Sequence, residues 1–232
     1  NTHPELGYVG INHSEEDRDN IYTYEANGIK VAILNYTYGH NGVKPPSSLS
    51  YLINELDEEK LRSDIRKAEE IADFTIVCPH WGTEFKHTKD AKQENWTTVF
   101  LEEGVDLVLG THPHVVQPVE WVTHENGHQM LVYYSIGNFI NGTNSTGRGV
   151  TDRMVGAIAD VKLERNKETG KVEIVKHDVH PVVCHMAEKT EYTVYFLKDY
   201  TEELASKNLV VRQDSEFSKS LCESIFNQVF GE

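Results

Sequence analysis

The sequence predicts an α/β fold whose sheet contains parallel strands. Two short apolar runs, residues 74–78 and 105–109, have the length and flanking turn residues of strands buried on both faces. Residues 90–103 between them can form a helix, with Asp90 as the N-cap and Gly104 just past the C-terminus. A strand, a helix and a strand in so few residues require a crossover connection, so we expect the two strands to run parallel.

The other elements follow from turn signals and from hydrophobic periodicity. Strand-like runs around short turns predict hairpins, two of them with Asn-Gly turns, at 22–36, 119–134 and 154–183. A short strand is also expected at 7–11. Apolar residues at helical spacing predict an amphipathic helix at 57–72 and a helical tail beyond about residue 200. Polar or glycine-rich stretches predict loops at 12–20, 37–48 and 141–152.

Composition restricts the functional class. The 232 residues include 37 acidic and 22 basic side chains, which give a net charge of −15. This balance argues against a nucleic-acid partner, because such binding depends on Lys and Arg neutralising phosphates. An anionic substrate would need metal ions or a local basic patch. The 3 cysteines do not indicate a disulfide framework, and no apolar run is long enough to predict a membrane span.

Histidines follow both predicted parallel strands. His80 comes just after the first strand, and His112 and His114 come just after the second. Neighbouring strands lie about 4.8 Å apart, and ligands of open α/β sheets bind beyond the carboxyl ends of the strands. The three imidazoles are therefore predicted to converge as part of a metal site. The alternative is three polar loop histidines beside a buried edge.

A second set of metal-like residues lies further along the chain. His177 and His180 are three positions apart, and Cys184 and His185 follow. On a strand, residues three apart point to opposite faces, so a shared ion would be out of reach. We therefore interpret these residues as solvent-exposed strand residues and not as metal ligands.

Three phrases of the sequence together resemble a known family. They are Cys-Pro-His-Trp-Gly-Thr-Glu at 78–84, Gly-Thr-His-Pro-His-Val-Val-Gln at 110–117 and Tyr-Ser-Ile-Gly-Asn-Phe at 134–139. In this order and spacing they resemble the CapA family of capsule-synthesis (poly-γ-glutamate) proteins, within the calcineurin-like metallophosphatase superfamily. The resemblance runs from about residue 7 to residue 185.

The resemblance implies a sandwich of two mixed β-sheets with helices outside and a two-metal centre at the strand ends. His80 matches the family's lone strand-end histidine ligand. His112 and His114 match the Gly-His-x-His pair, one histidine for each metal. Thr111 separates the glycine from the first of this pair, which departs from the common superfamily pattern.

The family's Gly-Asp and Asn-Asn-His motifs have no match here, so the chain resembles the carboxyl-terminal two-thirds of the family domain. We expect residues 1–185 to form this part and 186–232 to form a helical segment packed on it. Strands 74–78 and 105–109 are apolar on both faces and would then lack neighbours. We therefore expect the missing strands to come from outside, from the rest of the polypeptide or from a second copy.

Three further polar residues are candidates for the site. Glu84 can orient a histidine or a water molecule as a second-shell acid, or it can be a solvated loop residue. Gln117 and Asn138 can donate hydrogen bonds to a bound oxyanion of the substrate. Their alternative role is to stabilise the turns in which they lie.

These observations predict a CapA-like protein of bacterial capsule synthesis with a metal-dependent, hydrolase-type site. Histidine and carboxylate ligands favour Mn, Fe or Zn, with two ions in the complete domain and little activity in this chain alone. The resemblance implies an anionic polymer or phosphoester substrate, other capsule-synthesis proteins as partners, and an extracytoplasmic location at the cell surface. The alternatives are a non-catalytic polymer-handling component and, less compatible with the parallel unit, a lectin-like β-sandwich.

Overall fold

The computed structural model describes residues 7–142, 144–147 and 149–231. These residues form a six-stranded sheet, a three-stranded sheet and several helices. The strands are β1 (Tyr22–Ala26), β2 (Ile29–Thr37), β3 (Phe74–His80), β4 (Leu107–Leu109), β5 (Val119–Thr123), β6 (Gln129–Tyr133), β7 (Val155–Arg165), β8 (Val172–Glu188) and β9 (Glu191–Phe196). The α-helices are α1 (Glu15–Arg18), α2 (Glu58–Ile71), α3 (Ala91–Glu102), α4 (Glu202–Lys207) and α5 (Lys219–Phe230).

The six-stranded sheet has the order β1-β2-β3-β4-β6-β5. Its four central strands pair in parallel, whereas β1 and β5 join antiparallel to their neighbours as hairpin partners. The predicted parallel unit of residues 74–109 is confirmed. However, β3 and β4 have partners on both sides within this chain, so the expectation that they lack neighbours is wrong. The expectation failed because β2 pairs with β3 and β6 pairs with β4. Residue patterns alone do not specify such long-range pairing.

Local sequence signals explain the helices that cover this sheet. Asp90 caps α3 in a capping box with Gln93, and Gly104 follows the helix at φ +96°. The side chain of Asp57 caps α2 by accepting from the Lys60 amide. Both helices pack on one face of the sheet in a core with apolar side chains from β2, β3, β4 and β6. Alternation along the strands sends the other side chains to the opposite face.

That opposite face packs against the three-stranded sheet. Phe74, Leu107 and Leu131 share a core with Val172 of β8 and with partly buried residues of β7. The two-sheet architecture with outer helices is therefore confirmed. The smaller sheet has the order β7-β8-β9 and its described pairs are antiparallel, although the resemblance implied a mixed sheet. Consecutive hairpin connections produce this arrangement.

The carboxyl-terminal segment packs on the smaller sheet in a core of its own. Phe217, Cys222 and Ile225 are buried there with Val183 and Cys184 of β8. Among the described residues, its buried apolar side chains share a core with β8 and not with β3 or β4. The division expected at residue 185 falls inside β8, and the segment after it contributes β9 as well as helices.

Several local predictions were wrong. Residues 7–11 form no strand, and Ile11 makes only an isolated bridge to Ile53. The predicted loop at 12–20 contains α1, because Ser14 caps a turn of acidic residues. The predicted loop at 141–152 is exposed over most of its described length but ends in a buried turn, where Val150 and Thr151 pack into the carboxyl-terminal core.

Candidate metal centre

The structure brings the three strand-end histidines together. His80 ends β3, and a parallel bridge pairs it with Thr111, the residue before His112. His80 Nε2 lies 3.1 Å from His112 Nδ1. The ring centroids of His112 and His114 are 6.0 Å apart. The predicted convergence is therefore confirmed as geometry, and its cause is the parallel register of β3 and β4.

The turn that carries two of these histidines has a strained backbone. His112 has φ +100° and His114 has φ +61°, a region that side chains other than glycine rarely occupy. Such strain persists only where surrounding contacts hold it, and it concentrates at functional sites. Gly110 precedes the turn at a point of close approach, where a Cβ atom would lie 2.1 Å from the Tyr134 carbonyl oxygen. Glycine is therefore required at this position.

The environment keeps the first two histidines neutral. Burial is the main cause that lowers the pKa of His80 to about 4; the neighbouring imidazoles of His112 and His114 contribute to the shift, and Glu84 opposes it. Burial is also the main cause that lowers the pKa of His112. A neutral imidazole is the form that binds a metal ion, so no proton has to be displaced at neutral pH.

Contacts behind the rings determine which nitrogen faces the centre. Asn138 Nδ2 donates to the Arg153 carbonyl at 3.0 Å, which identifies its Oδ1 as the acceptor facing His114 Nδ1 at 2.9 Å. His114 must then carry its proton on Nδ1, which leaves the Nε2 lone pair for a ligand. Thr111 Oγ1 lies 3.3 Å from His80 Nδ1 and orients that ring in the same manner.

Glu84 lies close enough to two of the histidines to bind an ion together with them. Its carboxylate, His112 and His114 each offer a donor atom, and these atoms all lie within 4.8 Å of one another. Two ligand atoms on one ion with bonds of about 2.1 Å lie about 3.0–4.2 Å apart. The exposed Glu84 side chain can close the remaining distance by a rotamer change. His80 is not part of this group of three, but its Nε2 lies 3.1 Å from Nδ1 of His112. The donor set therefore fits a divalent metal ion.

The two residues predicted to contact substrate, Gln117 and Asn138, both form hydrogen bonds to other protein groups. Gln117 is fully buried, and its amide donates to the carbonyls of Lys86 and Thr88 and accepts from Gln93. It therefore joins the 86–88 loop to α3 and does not face the histidines, contrary to the expected substrate contact. Asn138 is half-buried and orients His114, so its amide is also committed to protein partners.

Sequence reasoning missed several residues around the centre. Tyr38 follows β2, and its ring lies 4.4 Å from His112 and 5.9 Å from His80. Phe85 stacks on His114 at 5.9 Å. The rule that placed His80 at a strand end also applies to Tyr38, because β2 is the parallel neighbour of β3. Phe85 lies in a loop with no such signal.

His87 lies one step further from the centre. Its Nδ1 lies 2.9 Å from the Val116 carbonyl, and its Nε2 lies 3.4 Å from Asp152. Both neighbours are hydrogen-bond acceptors, so they favour the doubly protonated ring. The Asp152 carboxylate accordingly raises the pKa of His87. This histidine is therefore suited to an ion pair and not to metal binding.

The second group of histidines is divided as predicted. His177 accepts from Trp121 Nε1 at 3.2 Å, whereas His180 lies 3.4 Å from Asp160 on the other side of the strand. His180 does share a face with two carboxylates, Asp160 and Asp178, and their donor atoms lie within 4.8 Å of one another. These side chains are exposed or half-buried on the sheet surface. His185 is buried, and its Nδ1 forms a hydrogen bond with the Tyr200 hydroxyl.

Comparison with known proteins identifies the family. The profile of the family described as "Bacterial capsule synthesis protein PGA_cap" matches residues 2–143, which include all three strand-end histidines. The chain belongs to this family. The predicted CapA-type relationship is therefore confirmed.

Two curated relatives of this PGA_cap member are capsule proteins. The PGA biosynthesis protein CapA of Bacillus subtilis (strain 168) is 28% identical over 177 residues, which are 75% of this chain and 43% of the relative. The capsule biosynthesis protein CapA of Bacillus anthracis is 32% identical over 145 residues, 59% of this chain and 33% of the relative. The chain thus spans less than half the length of either relative.

Solved structures overlap with this PGA_cap chain only in part. The NAD nucleotidase (NadN) of Haemophilus influenzae overlaps with a TM-score of 0.43 and 12% identity. The overlap covers 89% of this chain and 40% of that protein. Within the described part of the chain, no helix combines the length and apolar character needed to cross a membrane.

Proposed function

We propose that this chain supplies a metal-dependent, hydrolase-type centre to a CapA-like protein of capsule and poly-γ-glutamate synthesis. The observation that carries the proposal is the convergence of His80, His112 and His114 with Glu84 on one edge of the sheet, around a strained turn. Active sites store backbone strain and combine it with desolvated titratable groups, and both features occur here. The curated relatives place the family in capsule biosynthesis.

In this proposal the residues have distinct roles. The imidazoles of His80, His112 and His114 and the carboxylate of Glu84 hold the ion. Asn138 keeps the His114 lone pair directed at the centre by accepting its Nδ1 proton. A bound divalent ion polarises a substrate oxygen and lowers the pKa of a bound water to about 7. Mn, Fe and Zn suit this mixture of nitrogen and oxygen donors.

The substrate class follows from the same centre. In a chain with a net charge of −15, a bound ion would supply local positive charge to a phosphoester or to the carboxylates of an anionic polymer. Other capsule-synthesis proteins are the proposed partners, with assembly at the cell surface. The chain spans less than half the length of either curated relative, so these statements are proposals about the protein as a whole.

A non-catalytic polymer-handling role is the second candidate. The proposed donors are three imidazoles and one exposed carboxylate, a number that suits one ion better than two. A single ion can bind an anionic polymer without hydrolysing it. Under this candidate the chain binds metal and polymer but has no turnover.

Metal titration by calorimetry tests the proposal. We expect Mn²⁺ or Zn²⁺ to bind the wild-type chain at one site and His112→Ala to weaken binding at least about tenfold, since one ligand is lost. His13→Ala is the matched control, because His13 is an exposed histidine of the amino-terminal loop. Equal affinities for the two variants would refute the proposed site.

Hydrolysis assays with bis(p-nitrophenyl) phosphate separate the two candidates. We expect metal-dependent but slow turnover from this chain. Metal binding without any turnover would favour the polymer-handling role. Tight binding of two ions with full turnover would contradict the single-ion donor set.

A further inference from the structure

A histidine and a carboxylate form a pair beyond the carboxyl end of β2, next to the strand-end histidines. His40 Nε2 lies 2.7 Å from a carboxylate oxygen of Glu55. Only 7% of the His40 side chain is exposed, whereas 48% of the Glu55 side chain is exposed. The His40 ring is therefore enclosed by protein and held in one orientation by the carboxylate.

Backbone pairing places Glu55 at the edge of the sheet that carries the centre. Thr37 is the last residue of β2; it is in parallel register with His80 on one side, and a parallel bridge joins it to Glu55 on the other. The Thr37 amide donates to the Asn54 carbonyl and the Leu56 amide donates to the Thr37 carbonyl, both at 2.8 Å. The parallel pairing that brings His80 to this edge therefore brings Glu55 there as well.

His40 reaches the same edge through the loop that follows β2. The Tyr38 amide donates to the His80 carbonyl at 2.9 Å, and the Tyr38 ring stacks on the His80 ring. The Thr37 hydroxyl donates to the Gly39 carbonyl at 2.8 Å, which fixes the chain just before His40. His40 and His80 both line a cavity of about 430 Å³. A molecule that fills this cavity therefore contacts both imidazoles.

The Glu55 carboxylate determines which nitrogen of His40 is available. The hydrogen bond from His40 holds the pKa of Glu55 below its usual range, so this carboxylate is ionised at neutral pH and accepts from Nε2. Among the described residues, His40 Nδ1 has no hydrogen-bond partner, whereas both ring nitrogens of His87 face acceptors. Nδ1 is therefore the nitrogen that can exchange a proton with a molecule in the cavity. A carboxylate on the opposite nitrogen stabilises the imidazolium form.

We propose that His40 is a catalytic residue of this centre, the general acid that protonates the leaving oxygen of a phosphoester, and that Glu55 is its positioning residue. This inference rests on the proposed function, since the same centre holds the substrate. Hydrolysis bonds a water oxygen to phosphorus and breaks the bond from phosphorus to the leaving oxygen, which keeps the electron pair. His40 Nδ1 gives that oxygen a proton and recovers one from the water, so the water is divided between the two products.

A comparison of two leaving groups tests the role of His40. Bis(p-nitrophenyl) phosphate releases a stable anion that needs little protonation, whereas diphenyl phosphate releases a more basic oxygen. We expect His40→Gln to lower the Mn²⁺-dependent kcat for diphenyl phosphate about 10²-fold or more, and that for bis(p-nitrophenyl) phosphate less than about tenfold. His13→Gln is the matched control, because His13 is an exposed histidine of the amino-terminal loop. It should change neither rate.

The role of Glu55 has a signature that does not depend on turnover. Imidazole ¹⁵N chemical shifts of the metal-free protein, assigned by comparison with His40→Gln, report which nitrogen of His40 carries the proton. We expect the neutral ring to be protonated on Nε2 in the wild type and to populate both tautomers in Glu55→Gln, because an amide can donate as well as accept. Glu55→Gln should also lower kcat for diphenyl phosphate with KM unchanged, and Glu55→Asp should recover part of it.

Metal affinity separates the possible failures. All variants should keep the wild-type Mn²⁺ affinity by calorimetry, which shows that the fold and the centre are intact. An equal effect of His40→Gln on the two esters, or hydrolysis of neither ester by a metal-binding wild type, would overturn the inference and leave the metal site in place. Loss of Mn²⁺ affinity in His40→Gln would also overturn it. Absent Mn²⁺ binding in the wild type would instead remove the proposed function and this catalytic role with it, while the ¹⁵N shifts would still decide whether Glu55 orients His40.

Discussion

Replacement of Gly110 by alanine tests whether the histidine turn depends on close backbone approach. An alanine Cβ would lie 2.1 Å from the Tyr134 carbonyl oxygen and 2.5 Å from Trp81 Nε1. Real Cβ atoms do not approach backbone so closely, so the two segments must separate. The hydrogen bond from Trp81 Nε1 to the Tyr134 carbonyl, now 2.9 Å long, lies in the path of this separation.

The expected loss of stability follows from two contributions. An indole N–H left without a partner in the core costs about 1–3 kcal/mol, and Trp81 is only 1% exposed. Forcing an extra carbon into a packed site costs about 1–3 kcal/mol more. The sum is about 2–6 kcal/mol, a large part of the roughly 5–15 kcal/mol that stabilises an ordinary domain.

Urea unfolding followed by tryptophan fluorescence measures this loss. We expect the midpoint of Gly110→Ala to fall by about 0.7–2 M at an m-value of about 3 kcal/mol/M. Gly39→Ala is the matched control, because no atom lies within 4 Å of its added Cβ and its φ is not positive. A free energy of unfolding for Gly110→Ala within about 0.5 kcal/mol of the control would refute the reasoning.

Three further predictions concern the centre. The pKa of His80 is lowered to about 4 in the folded state. Between about pH 6.5 and pH 4 the unfolded state therefore binds one proton more at this residue. The stability due to neutral His80 is present above pH 6.5 and is lost as the pH falls towards 4. Urea midpoints of His80→Gln should therefore fall less than those of the wild type over this range; parallel pH profiles would contradict the shift. Asn138→Ala should weaken Mn²⁺ binding about 10–100-fold by calorimetry, because His114 loses the acceptor that fixes its tautomer. An affinity unchanged from that of His13→Ala would count against this role. Metal binding to the wild type should persist to lower pH than ordinary histidine ligands allow, since burial lowers the pKa values of His80 and His112; a midpoint near the ordinary histidine pKa of about 6.5 would show that their burial has no effect.

The sequence alone determined the parallel unit and the convergence of its histidines. The helix between β3 and β4 is short and well capped, and a crossover of that length permits only parallel strands. Residues that follow parallel neighbours must then meet at one edge. The hairpins with Asn-Gly turns were equally predictable, since Asn27 and Gly28 adopt the positive φ values of such a turn.

Tertiary structure decided what each polar side chain does. Gln117 and Asn138 both occur in turn-like phrases, yet Gln117 is buried in a structural network and Asn138 contacts His114. No local pattern distinguishes them, because the partners lie 24 residues away in both cases. The stack of His114, Phe85 and Arg153 likewise joins three separate stretches of the chain.

Long-range pairing also decided where the strands and the tail lie. Apolar runs identify β3 and β4 as buried on both faces, but only the folded chain shows that β2 and β6 flank them. The tail is amphipathic, and its pattern specifies an apolar face without specifying the surface that covers it. Burial of Phe217, Cys222 and Ile225 depends on their contacts with β8, a strand that the pattern of the tail itself does not specify.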